Sequence, residues 1–351
     1  MKKVFSLFLL LSCTLPLQAQ PSYEVKVHPG TELLHVVNYL AEVYRPTARE
    51  SSYLEAVEDW FGEYREHPAV LHAAALPYND FTDLGWCFDF PDNELKIPDG
   101  YGYLDKIMDR EYLERYLILS REFAEKSDFW AFYQEQEPNY RIWEKEFTDG
   151  LEREQPLAAL TDFYRADLGK TIYFSIAPMG ATLKVNLFLE EINPEFSQYA
   201  PIIVPFDRAY VDEQTDTPNF AYNRKSLNHA VWHEASHLYW EVMVAPFRQR
   251  LLNLDYEDAL SVNFNTFADK GMDTYFFIHE VVADGVAILL KRKFSSIEEA
   301  DAHLAINEGM GSPLYREMVE LLDREYYPNR EEQNFREFIP HLIEMIENKN
   351  H

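Results

Sequence analysis

One stretch of the chain carries residue types at a spacing that can do chemistry. It reads Ser226-Leu-Asn-His229-Ala-Val-Trp232-His233-Glu234-Ala-Ser-His237-Leu-Tyr-Trp240-Glu241. Side chains four apart on a helix leave from the same face one turn apart, so the His233 and His237 imidazoles can reach a single ion. Zinc takes neutral imidazole nitrogen readily, and three protein ligands leave a fourth position for water. Glu234, beside the pair, can take that water's proton. The pattern His-Glu-x-x-His on a helix therefore carries a defined chemistry, metal-assisted hydrolysis with a glutamate as general base. His229, one turn before His233, reads as a structural or supporting residue rather than a ligand.

The third ligand has to come from another element. One subclass reaches it by breaking the helix with Gly three residues after the second His, but that position is Trp240, so the metzincin pattern is absent. Glu241 continues the stripe a further turn along, too distant for the same ion. Tyr275 to Leu290 is apolar almost throughout except for His279, Glu280 and Asp284, which predicts a helix buried nearly all round. Two carboxylates four apart in such a helix are costly unless paired or bound to metal. Glu280 as ligand, with Asp284 holding a ligand imidazole by its second nitrogen, resolves that cost. Asp255, Asp258, Asp269 and Asp273 compete for the ligand role, although Asp273 is more simply a helix N-cap. A hydrolase of this kind also needs an oxyanion donor; His341 is one candidate, Tyr275 and Tyr222 are others.

These residues need elements to position them. Helical spacing of apolar residues predicts helices at 32–44, 53–64, 69–76, 110–126, 139–150 and 157–168, with a loop at 78–102. Residues 171–177, 182–189 and 199–206 are short, rich in Ile, Val and Phe, and bounded by Pro, Gly or Asn, so they read as strands, with a further short strand at 23–27. Helices follow at 226–245, 273–293, 296–307, 313–326 and 332–347. The order predicts an α+β, mainly helical protein: a small mixed sheet packed on the histidine helix, and a helical C-terminal half. It divides into 1–19, an N-terminal helical region at 20–168, and a metal-site region at 169–351. An edge strand within 171–206 is expected to pair with an extended peptide.

Composition narrows the class further. The chain has 351 residues, 60 acidic against 32 basic, and a formal charge of -28. A nucleic-acid binder needs concentrated positive charge, and an anionic lipid surface would repel this one. Lys2 and Lys3 precede an apolar run from Val4 to Leu11, and Ala19-Gln20 offers a cleavage point, the parts of a secretory signal peptide. The run is too short to span a bilayer. Export to the periplasm or outside the cell is expected. Leu10-Leu11-Ser12-Cys13 also allows the alternative of an outer-membrane lipoprotein anchored at Cys13. Cleavage after Ala19 leaves Cys87 as the remaining cysteine, so a disulfide framework is excluded.

His233-Glu234-x-x-His237 followed by Glu280-x-x-x-Asp284 on a second helix resembles the gluzincins, the thermolysin- and neprilysin-like zinc metallopeptidases. The resemblance implies a zincin-like fold with zinc held by His233, His237 and Glu280, Glu234 as general base, Asp284 behind a ligand, and a peptide or protein substrate. The interval of 42 residues between His237 and Glu280 is longer than in thermolysin-like enzymes and shorter than in neprilysin-like ones. The opening Glu32-Leu33-Leu34, the leader and the two helices also look like a family of exported bacterial proteins defined by a domain of unknown function. The expectation is an exported zinc metallopeptidase. The alternatives are a binding or scaffold protein that keeps the fold without turnover, and a zinc hydrolase of a non-peptide amide.

Overall fold

A computed structural model of the chain describes residues 21–47, 51–75, 81–102, 104–187, 189–206, 218–254, 270–309 and 312–349. The leader at 1–19 with Cys13, and the competing ligands Asp255, Asp258 and Asp269, lie outside these residues. The described chain opens on β1 (Tyr23–Val27) and enters α1 (Pro29–Leu40). There Pro29 occupies the first turn, where its missing N–H costs nothing, and His28 Nδ1 accepts from Thr31 N at 3.2 Å. Next come α2 (Ser52–Phe61), α3 (Pro68–Ala75), the two-residue strands β2 (Phe88–Asp89) and β3 (Glu94–Leu95), and α4 (Leu104–Ile107). Three longer elements follow: α5 (Arg110–Lys126), α6 (Phe129–Glu154) and α7 (Pro156–Tyr164).

The expected helix at 139–150 is the second half of α6, which runs through Pro138. A proline inside a helix removes one hydrogen bond and costs about 3 kcal/mol. Here it is outweighed by burial of Phe129, Phe132, Tyr140, Trp143 and Phe147 on one face, at roughly 1.5–3 kcal/mol for each large apolar side chain. Local propensity lost to tertiary packing, which sequence periodicity cannot weigh.

The sheet is formed by β1, β4 (Thr171–Ala177), β5 (Lys184–Val185) and β6 (Tyr199–Pro205) in the order β1-β4-β6-β5. The first three are parallel, with Phe174 opposite both Val25 and Ile202; β5 runs antiparallel at the edge, Val185 opposite Ile202. β4 and β6 are buried along nearly their whole length, which is why their sequences are continuous apolar runs rather than alternations. The strand expected at 182–189 is only two residues long, because the chain then turns into α8 (Leu189–Ile192). Burial of Leu189 and Ile192, and the bond from Asn193 Nδ2 to Trp86 O at 2.7 Å, fix that turn. Since β1 belongs to the sheet, one apolar core joins residues from Val25 to Ile346.

The C-terminal half is helical: α9 (Arg224–Val244), α10 (Arg248–Leu252), α11 (Lys270–Phe294), α12 (Ile297–Gly309), α13 (Leu314–Leu321) and α14 (Phe335–Lys349). Asn223 caps α9, its Oδ1 accepting from Lys225 N at 2.8 Å and Ser226 N at 3.0 Å, and Pro246 follows its end. α9 packs on β5, β6, α6 and α7 on one side and on α11 on the other. Trp232 and Trp240, each 1% exposed, are core: Trp232 donates to Pro156 O and lies by Phe294, and Trp240 packs on His279 and Phe335. The histidine stripe is thereby turned toward α11 rather than toward water.

α11 carries Gly285 where it crosses α13: a Cβ there would lie 2.6 Å from Met318 Cγ. Alanine gains about 1 kcal/mol of helix propensity, but overpacking costs typically 1–3 kcal/mol. Because Met318 is fully buried and cannot swing clear, the clash prevails. Gly285→Ala is expected to lower stability by about 1 kcal/mol, read from the urea midpoint at unchanged slope. A raised midpoint would show that the α11–α13 contact is loose.

Candidate metal centre

The antiparallel pairing of α9 and α11 brings the two stripes into register. His237 Nε2 lies 3.2 Å from His233 Nε2. His233 Nε2 lies 3.4 Å from Glu280 Oε2, and His237 Nε2 lies 3.6 Å from Glu280 Oε1. Two imidazole nitrogens and a carboxylate, from two helices, thus face a common point. His237 is almost fully buried, whereas a third of the Glu280 side chain is exposed (34%), so the cluster opens to solvent on the α11 side.

Whether these residues fit zinc is a question of donor chemistry and spacing. Bonds of about 2.0–2.1 Å in a tetrahedron place neighbouring ligand atoms about 3.3 Å apart. The observed edges bracket that value. The donors are two imidazole nitrogens and one carboxylate, a set suited to zinc with a position left open. His233 uses its other nitrogen, Nδ1, on Asp284 Oδ1 at 3.0 Å, which leaves Nε2 as the nitrogen with the lone pair toward the cluster. The residues fit the ion.

The electrostatics favour a cation in the same place. Burial opposes charge on Glu280, but His237 and His233 outweigh it and hold its carboxyl down to about 2. Burial lowers His237 to about 3, so that imidazole is neutral and able to donate a lone pair. His233 is pulled the other way: burial disfavours its charged form, yet the hydrogen bonds to Asp284 and Glu280 raise it well above the imidazole range. The neighbours that favour a charged His233 would favour a bound cation in the same place. Glu234 is buried with no hydrogen-bond partner among the described residues, and desolvation pushes its carboxyl up to about 7.

Behind His233, the Asp284 carboxylate accepts from Asn307 Nδ2 at 2.8 Å through its other oxygen. α12 thus fixes Asp284, which fixes the His233 ring. Loss of such a supporting partner typically costs 10–100-fold in metal affinity. Asp284→Asn is expected to weaken zinc binding at the His233–His237–Glu280 cluster by that amount, measured by competition with a chromogenic chelator. Unaltered affinity would separate Asp284 from the ligand set.

The remaining candidates lie elsewhere. Tyr275 is 1% exposed and donates to Glu241 Oε2 at 2.5 Å. Glu241 in turn sits 3.1 Å from His279 Nε2 and 3.3 Å from Arg248 Nη1. The His279 contact has ion-pair distance but not hydrogen-bond alignment, since both His279 nitrogens are buried without a hydrogen-bond partner. Tyr275 is therefore committed to a buried network beyond His237 and is not brought to the cluster. His341 is half exposed and held by Glu325 Oε2 at 2.8 Å; it does not join the cluster either. Tyr222 donates to Pro205 O at 2.5 Å. Asp273 lies inside the first turn of α11 and is buried. Neither Asn307 nor His279 is predicted by periodicity, because each depends on which helix packs next. Cys87 is a buried free thiol pushed up to about 12 by desolvation, hence inert.

Among the described residues no helix is long and apolar enough to cross a membrane. No protein-family model, curated protein or solved structure matches the chain.

Proposed function

We propose that the protein is a zinc-dependent peptidase with a zincin-like arrangement. The observation that carries this reading is the convergence of His233 Nε2, His237 Nε2 and the two Glu280 carboxylate oxygens, at 3.2, 3.4 and 3.6 Å, next to the buried Glu234. Zinc supplies Lewis acidity, polarising a carbonyl and acidifying water. Every other function falls to the chain. Glu234, buried one residue from His233 on α9, would accept a proton from water on its carboxylate and return it to the leaving nitrogen. Asp284 keeps the His233 ring in one orientation and one tautomer.

Two features support a peptide as substrate. Among the described residues β5 has a strand neighbour on one side only and lies against α9, so its other edge can pair with an extended backbone running along α9. The exposed side of Glu280 gives that backbone access. The scaffold alternative is disfavoured by the intact Glu234, since a non-catalytic zinc site has no need of the base.

The test is hydrolysis of an unbiased peptide mixture by the zinc-loaded full-length chain, with products read by mass spectrometry. Cleavage should disappear with 1,10-phenanthroline and return on adding zinc. Zinc retention without cleavage of any peptide would contradict the peptidase reading.

A further inference from the structure

The ligand pattern repeats one helical turn along. His229, His233 and His237 form a continuous stripe on α9, and Glu280 and Asp284 form its counterpart on α11. Because the helices are antiparallel, Glu280 meets the C-terminal two histidines and Asp284 meets the N-terminal two. α12 then adds His303 from the side. The result is a second set of one carboxylate and two imidazoles: donor atoms of His229, Asp284 and His303 all lie within 4.8 Å of one another. The His229 and His303 rings are 4.2 Å apart at 52°, and His229 Nδ1 is buried with no hydrogen-bond partner. A buried imidazole nitrogen left without a partner carries a desolvation cost, here on a residue of this donor set.

We infer that His229, Asp284 and His303 form a second site for a divalent transition metal, linked to the His233–His237–Glu280 site through Asp284. Borderline ions that accept imidazole and carboxylate together, zinc and cobalt above all, suit this donor set. Asp284 serves both sites: Oδ1 holds His233 Nδ1 and Oδ2 accepts from Asn307. A carboxylate has about four lone-pair positions, so a metal bond is compatible with both.

One charge works against the site. Lys291 lies farther along α11, and its charge acts on His229, His303 and Asp284. Glu299, paired with Lys225, offsets it in part. A like charge acting on all three ligands opposes a divalent ion, which makes the second site the weaker of the two.

The experiment is equilibrium dialysis of the metal-free, full-length chain against Zn2+, with metal content read by plasma mass spectrometry. The parent chain should take up two ions in separate steps. His303→Ala should lose the weaker step and keep the tighter one, Glu280→Ala should do the reverse, and Lys291→Gln should tighten only the weaker step. His303 is partly exposed, so its replacement leaves the core intact, and an unchanged melting profile checks this. A single ion removed by His303→Ala but untouched by Glu280→Ala would uphold the second site and contradict the first. A single ion unaffected by His303→Ala, or two ions with both steps unaffected, would overturn the proposal.

Discussion

Glu234→Gln should abolish turnover without removing zinc. The substitution keeps the shape of the side chain and deletes its ability to accept a proton. General acid–base groups contribute typically 10²–10⁴-fold, so kcat should fall by about that factor, with zinc affinity within a few-fold of the parent. A structural role for Glu234 predicts a different result, because Gln preserves volume and would leave kcat unchanged. The same variant has a second signature in the metal-free chain. The Glu234 carboxyl sits at about 7 when folded, against an ordinary 4.5. A raised carboxyl contributes stability that is fully present below its unfolded value and is lost as pH rises through the folded one. Between pH 4.5 and 7 that amounts to about 3 kcal/mol at most. The metal-free parent should therefore weaken from pH 5 to pH 8 by more than Glu234→Gln does, as read by urea denaturation. Parallel profiles for the two chains would contradict the account of Glu234 as a buried, unpartnered acid.

Glu280→Ala should lose the ion. The carboxylate supplies one corner of the donor triangle and the charge that balances a cation there. If loss of a supporting residue costs 10–100-fold, loss of a direct ligand should exceed about 100-fold. Competition against a chelator of known affinity measures this, and Glu280→Gln should recover only part of it because the charge is gone. Zinc bound by Glu280→Ala with parent affinity would move the third ligand to another residue. Both substitutions act on groups at the site's solvent-facing and inner walls, so a fold-wide loss would appear in the melting profile and be distinguished from a local one.

How much of this could be read before the structure depends on whether the cause was local. The four-residue spacing of His233 and His237 is a helix property and needs no tertiary information. Glu280 and Asp284 were legible for a different reason: carboxylates in an otherwise apolar helix demand a partner, and an unpaired pair of imidazoles offers one. Strands β1 and β4 fall where their composition places them. What stayed hidden depended on packing between distant segments. Nothing in the sequence of α12 connects Asn307 or His303 to Asp284, since that contact arises from the angle at which α12 returns across α11. Pro138 hid the first half of α6, where aromatic burial outweighed a local penalty. Tyr275 and His341 have suitable chemistry for an oxyanion donor, but Glu241 and Glu325 engage them. The export signal at 1–19 remains a reading of residue types alone.

The central claim is that one zinc ion sits between α9 and α11. Diffraction from zinc-loaded crystals, recorded on both sides of the zinc absorption edge, tests it most directly. The account predicts an anomalous peak about 2 Å from His233 Nε2, His237 Nε2 and the Glu280 carboxylate. No peak at these three residues in a crystal saturated with zinc would contradict it, whichever other residues hold zinc.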